Sequence, residues 1–257
     1  MTTIHPTALV DPAATLGVGV VIGPWAIVGP GVEVGDRTEL HPRAIIERNT
    51  RLGADVRVGV GSVVGGDPQD RKYRGEDTWV EIGEGTVIRE YATINRGTAA
   101  AGVTRVGRGC FIMSYVHLAH DCQIGDDVTI ANASQLAGHV TIHPRATISG
   151  LCAVHQFVTI GRLAFVGGAS RVSQDVPPYV TAVGNPVTLY GLNTIGLQRA
   201  GMAPDVMAAL KKAYRFCFNA DVPLSQGIAR ARRELSPGEV VSEFLEFVER
   251  TERGVPG

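Results

Sequence analysis

The sequence predicts a mainly β chain wound as a parallel β-helix, a triangular prism of stacked coils, with a C-terminal helical appendage. Three observations carry this: an aliphatic residue returns at every sixth position, a small residue recurs four places after it, and the pattern dissolves beyond Val172. From Ile4 the aliphatic series runs through Val10, Leu16 and Ile22 to Val64, resumes at Ile82, Ile88 and Ile94, and after a second break runs from Val106 to Val172. A helical period of 3.6 does not produce this spacing, whereas a fixed short period marks stacked repeats. The small position holds Ala8, Ala14, Ala26, Ala44, Thr86, Ala92, Ser134, Ala146 and Ala164, and Gly or His-Pro often follows the aliphatic one. Such residues alternate into a narrow interior while glycine and proline mark the bends. Three hexads make a coil of about 18 residues, so about nine coils at a strand spacing of roughly 4.8 Å give a prism on the order of 40 Å long.

Residues 1–190 are therefore expected to form the prism and 191–257 a helical domain. Pro204 and Asp205 open a helix in which Val206, Leu210, Tyr214 and Cys217 recur at helical spacing. Leu224 to Leu235 and Glu239 to Arg250 read as two more helices, separated by Ser236-Pro237-Gly238. Their expected role is to cap the last coil, whose apolar side chains and strand edges would otherwise be exposed.

Composition narrows the function classes. The 257 residues are 44% hydrophobic, enough for a substantial core. Twenty-four basic against twenty-five acidic residues argue against nucleic acid as the main partner, because phosphate neutralisation needs a basic surplus. The N-terminal segment lacks a basic stretch followed by an apolar core, and no run approaches the roughly 20 apolar residues of a membrane span. A soluble, cytoplasmic protein with no membrane span is the expectation. Cys110, Cys122, Cys152 and Cys217 form no C-x-x-C pair. The first three occupy the small repeat position, which casts them as compact buried hydrophobes.

Histidine carries the chemical signal. His5, His41 and His143 each follow the aliphatic position and precede proline, as exposed corner residues would. His117, His120, His139 and His155 instead fall along one edge of the prism, with Gly138 and Gln156 in the column of His120. Together they line a strip about 10 Å tall. An imidazole with a pKa near 6.5 accepts a hydroxyl proton at neutral pH and returns it to a leaving group. Asp121 is placed to fix its tautomer, and the backbone N–H of Gly138 to stabilise an oxyanion. Direct acyl transfer, with no covalent enzyme intermediate, follows, and neither cofactor nor metal is expected. The first break, GGDPQDRKYRGEDTWVE, is a charged loop suited to reaching a neighbouring subunit, or else a tolerated surface insertion.

These residues resemble the UDP-N-acetylglucosamine O-acyltransferase family, which opens lipid A synthesis. The resemblance rests on GGDPQDRKY, HLAHDC, AGHV, AVHQF, VGGAS, QDVPPYV and GLNTIGLQRAG and covers nearly the whole chain. It implies a left-handed winding, a homotrimer, and transfer of a 3-hydroxyacyl chain from acyl carrier protein, whose thioester is the co-substrate, to the glucosamine 3-position of UDP-N-acetylglucosamine. It further implies that His120 is the general base, supported by Asp121, with Gly138 as oxyanion backbone. Gln69, Asp70, Lys72, His117, His139, His155 and Gln156 would meet the nucleotide sugar, and Asn193 and Arg199 its nucleotide end. Gly168 would act as the acyl-chain ruler. Asn95 stands where the family often has histidine, and Arg71 where an aliphatic residue is usual. Whether the acceptor presents a 3-hydroxyl or a 3-amino group stays open. A zinc-dependent hydratase on the same prism is the rival from another class, and a purely structural solenoid the third reading.

Overall fold

A computed structural model describes residues 1–218, 222–235 and 238–256. Strands of two to five residues line up in three sheets of eleven, nine and eight strands, each forming one face of a left-handed three-sided prism. Each strand pairs with its equivalent one coil away, as Thr129–Ile130 does with Thr147–Ile148. Among the described residues every pairing is parallel except the last, where Thr188–Leu192 folds back on Val180–Val183.

The sixfold series is the interior. Ile22, Leu40, Ile112, Leu118, Ile130 and Leu136 are fully buried, and so are Ala26, Ala44, Ala146 and the three repeat cysteines at the small position. Burial pushes the Cys110 thiol up to about 11 and that of Cys122 up to about 12, so both stay neutral hydrophobes. Corners turn on residues with positive φ: Tyr115, Ala133 and Leu151 at the first, Asp121, His139 and Phe157 at the second, Asp127, Arg145 and Leu163 at the third. That conformation costs a non-glycine residue about 1–2 kcal/mol, which interior burial and the inter-coil ladder must offset. The two register breaks are loops inserted into coils and not gaps in the stack, since Leu52 pairs with Ile82 and Ile82 with Val106.

The outer surfaces differ by face. On the third face Glu33, Arg51, Glu81 and Arg105 alternate in charge, with Arg51 3.1 Å from Glu33 and 3.4 Å from Glu81, and Arg105 2.7 Å from Glu81. In-register stacking sets neighbours directly opposite one another, so alternation of sign replaces repulsion with attraction. The first corner, between faces one and two, instead exposes Trp25, Tyr91, Tyr115 and Leu151, and the two tyrosine rings stack at 5.3 Å.

Four helices follow: α1 (Thr194–Arg199), α2 (Pro204–Cys217), α3 (Leu224–Glu234) and α4 (Glu239–Arg250). The last three were expected; α1, six residues long, is too short to show a period. The boundary expected at 190/191 falls inside Thr188–Leu192, because the chain pairs back on the prism before leaving it. Of the expected stop, Ser236 and Pro237 lie outside the described residues; Gly238 precedes α4. His143 departs from the exposed role expected of it. Phe247 of α4 meets its ring edge-on at 6.3 Å, and burial lowers its pKa against the opposing charge of Glu243. No described helix is long and apolar enough to cross a membrane.

Asp175 ties the last coil to the C-terminal tail. Its buried carboxylate accepts from the Thr159 N–H at 2.7 Å and the Thr251 hydroxyl at 2.6 Å. Asp175→Ala should lower stability by about 3 kcal/mol through the loss of charged hydrogen bonds and the orphaning of a buried donor, measurable by denaturant titration.

Candidate active site

The second corner carries the expected strip. His120, Gly138 and Gln156 stack one above another there, as do Asp121, His139 and Phe157, through His139 N–H to His120 C=O at 3.0 Å and Phe157 N–H to Gly138 C=O at 3.2 Å. His120 Nδ1 lies 2.8 Å from Asp121 Oδ2, and His139 Nε2 lies 3.4 Å from the same oxygen. One carboxylate is thus shared by two imidazoles, whose rings meet edge to face at 5.2 Å. His139 in turn stacks on Phe157 at 4.6 Å.

Asp121 breaks the corner rule. Corner residues such as Tyr115 and Phe157 are exposed, yet the Asp121 side chain is 0% exposed. The loop of the second break closes over it: the Thr98 N–H donates to Oδ1 at 2.8 Å and the Thr98 hydroxyl to Oδ2 at 2.7 Å. From below, the Asp121 N–H donates to the Thr104 hydroxyl at 2.8 Å. A buried carboxylate held by this many donors is a fixed acceptor for the Nδ1–H of His120, which leaves Nε2 free to take a proton. Residue spacing does not point to Thr98; its only signal is the break itself.

Gly138 is required by a close approach. A Cβ there would stand 2.6 Å from His120 Cε1 and 2.8 Å from Nε2, so any side chain displaces the ring. Among the described residues the Gly138 N–H has no acceptor. His117 lies beside this corner on face two, its Nδ1 2.8 Å from Thr93 Oγ1, and burial together with the nearby His120 lowers its pKa, favouring neutral imidazole. His155 and Gln156 are exposed two coils above His120, His155 Nδ1 lying 3.2 Å from the Gln156 carbonyl.

The loop of the first break leaves from the same corner, two coils below His120. Gln69 and Lys72 are exposed on it, while the Asp70 carboxylate accepts from the Lys72 N–H at 2.9 Å and shapes the turn. Its base is anchored by neighbours of Thr98. Asn95 Nδ2 donates to the Asp67 carbonyl at 2.8 Å, and the buried Arg96 guanidinium bonds Gly65 C=O, the Asp67 carboxylate and Tyr73 Oη. Asn95, at the position where the resemblance suggests histidine, thus holds the loop. Segment 95–98 joins both insertions to the corner.

Three expected residues lie elsewhere. Asn193 and Arg199 line an open cavity of about 510 Å³ at the third corner, with Asp127, Arg145 and Leu163. Asn193 caps α1, accepting from the Gly196 N–H at 3.1 Å and donating to the Leu163 carbonyl at 2.9 Å. Gly168 sits at the first corner, across face two from the histidines, where a Cβ would make only an ordinary 3.5 Å contact with the Gly150 carbonyl. Among the described residues, His120, Asp121 and His139 are the group whose ligand atoms, all within 4.8 Å, suit a metal ion.

A left-handed prism of hexads with a histidine–carboxylate pair at one corner defines a transferase of the bacterial hexapeptide class, and residues 104–138 match the model described as bacterial transferase hexapeptide. Residues 175–256 match the second domain of the model for Udp N-acetylglucosamine O-acyltransferase. An acyl-[acyl-carrier-protein]–UDP-N-acetylglucosamine O-acyltransferase from Syntrophobacter fumaroxidans is 46% identical over 98% of both chains, and one from Thermodesulfovibrio yellowstonii 44% identical over 99% of both. The crystal structure of a UDP-N-acetylglucosamine acyltransferase from Bacteroides fragilis superposes with a TM-score of 0.97 at 33% identity, covering 99% of this chain and 100% of that one. One from Acinetobacter baumannii gives 0.95 at 36% identity, covering 99% of each. The chain belongs to the acyl-[acyl-carrier-protein]–UDP-N-acetylglucosamine O-acyltransferase family and is an acyltransferase.

If His120 takes part in the reaction, Gly138→Ala should fold as the parent does, judged by circular dichroism, yet lose on the order of 10²-fold in turnover, because a displacement of about 1 Å at a reacting group costs that much. Unchanged turnover would show that the close packing of Gly138 over His120 does not matter to catalysis.

Proposed function

We propose that the protein transfers a 3-hydroxyacyl chain from acyl carrier protein to the glucosamine 3-position of UDP-N-acetylglucosamine, opening lipid A synthesis, with His120 as general base. The observation that carries this reading is His120 Nδ1 bonded at 2.8 Å to the buried Asp121 carboxylate. Nε2 takes the proton of the acceptor group as its oxygen or nitrogen attacks the thioester carbonyl carbon. The oxyanion of the tetrahedral intermediate faces the Gly138 N–H, which has no acceptor among the described residues. Collapse breaks the carbon–sulfur bond, and the imidazolium returns its proton to the departing thiolate. His117, His139, His155 and Gln156, with Gln69, Asp70 and Lys72 from the loop, hold the sugar nucleotide. No cofactor takes part in this scheme. The His120–Asp121–His139 group gives the metal-dependent hydratase reading its one supporting observation; loss of activity on chelation, restored by zinc, would favour it.

The reading includes a homotrimer. Apolar outer residues flank the first corner, among them Phe111 and Phe165 on face one and Leu9 and Ile27 on face two, while the charged third face suits solvent. A threefold axis beside that corner lays face one of each copy against face two of the next. It also brings the third corner, with Asn193 and Arg199, toward the His120 corner of a neighbour. Acyl carrier protein, itself acidic, would dock on the helices. Arg230, Arg232 and Arg233 are already paired with Glu234 or Glu249, so within this patch Lys211, Lys212 and Arg215 are the cations with no carboxylate partner among the described residues.

His120→Ala should lower turnover by about 10² to 10⁴-fold. Refolding it together with Arg199→Ala should recover part of the activity, because mixed trimers contain sites with both residues intact; mixtures as inactive as their components would argue against a shared site. Mass spectrometry of the product identifies the acyl chain and the atom acylated. Gly168→Met should shift preference from fourteen- to ten-carbon thioesters, since each buried methylene contributes about 0.8 kcal/mol and the new side chain fills the groove end. Preference for the short donor in the parent enzyme would overturn the ruler assignment.

A further inference from the structure

We infer that Arg145 is a further binding residue for the substrate, holding the diphosphate of the sugar nucleotide together with Arg199. This rests on the function proposed above and adds a residue to it. Arg145 lies at the third corner with φ 63°, its backbone N–H bonded to the Asp126 carbonyl at 2.9 Å, so the root of its side chain is fixed. It lines the same cavity of about 510 Å³ as Asn193 and Arg199.

The charge pattern of this corner makes the pair stand out. Lower on the same corner, arginines are neutralised by the adjacent coil: Arg37 pairs with Asp55 at 2.6 Å and Arg108 with Asp126 at 2.9 Å. Among the described residues, neither Arg145 nor Arg199 has a carboxylate within 4.0 Å, although Asp127 lines the same cavity. Among the described residues, two guanidiniums and one carboxylate without ion-pair partners leave an open pocket with a surplus positive charge. Guanidinium presents a planar fork that matches phosphoryl oxygens, and two forks suit two linked phosphoryl groups. The phosphodiester of a phosphopantetheine arm offers the same chemistry with a single phosphorus, so the diphosphate is the better match.

The test uses the full-length enzyme with Arg145→Ala and Arg145→Lys, and Arg199→Ala in parallel. Alanine occupies equivalent corner positions at Ala133 (φ 59°) and Ala169 (φ 56°), so the substitution fits the turn. Steady-state kinetics give KM for each substrate and kcat; inhibition is measured with UDP and with uridine. Loss of one charge-assisted contact should raise KM for UDP-N-acetylglucosamine and the UDP inhibition constant about 10-fold. Uridine inhibition, kcat and KM for the acyl carrier protein should hold, and lysine should recover part of the loss as a point charge. Unchanged UDP inhibition in Arg145→Ala, with Arg199→Ala weakened, overturns the inference and leaves the proposed function standing. A change confined to KM for the acyl carrier protein assigns Arg145 to the phosphopantetheine phosphate and overturns it equally. Failure of UDP to inhibit the parent enzyme removes the function itself.

Discussion

Everything in this molecule depends on the closure of each coil through corners held at positive φ. A residue such as Asp121, His139 or Arg145 adopts that conformation against its own steric preference. What offsets the strain is collective: parallel ladder bonds on three faces, and an interior sealed by one aliphatic and one small residue per hexad. Three polar members of the small position are used twice, whereas the buried Thr50 hydroxyl has no partner among the described residues. Thr38, Thr86 and Ser134 each donate to a turn carbonyl within their coil or the next at 2.7–2.8 Å and accept an N–H from the coil above at 3.1–3.2 Å. A hydroxyl thereby sits in an apolar interior without an orphaned atom.

The same regularity makes departures from it informative. An ordinary corner residue points to water, whereas the Asp121 carboxylate is roofed by Thr98 and held against the His120 ring. The segment that supplies Thr98 also supplies Asn95 and Arg96 to the base of the longer loop. The two insertions therefore form one assembly around the His120 corner: the shorter fixes the carboxylate that orients His120, and the longer carries Gln69, Asp70 and Lys72. A rigid prism beneath them supplies the fixed geometry that preorganised proton transfer needs.

A three-sided prism also separates functions by corner. In the proposed reading the base lies at the second corner, the arginine pocket at the third, and the end of the acyl chain at the first, beside Gly168. The proposed threefold assembly turns this separation into a shared site, because copies related by rotation set unlike corners side by side.

The sixfold period in the sequence determined the prism, its interior, the burial of Cys110, Cys122 and Cys152, and the alignment of His120, Gly138 and Gln156 in one column. Those follow from counting, because in a solenoid each residue contacts its equivalents one coil away. Family strings added what counting does not, the roles expected of Gln69, Asp70, Lys72, Asn193 and Arg199. The tertiary structure alone decided what the insertions do: that Thr98 buries Asp121, that Arg96 anchors the loop through Asp67, and that Phe157 stacks on His139. It also covered His143 with Phe247 and gathered Arg145 with Arg199. Loops and helices bring together residues with no common period, and their contacts are set by packing and charge across the fold, which linear spacing does not encode.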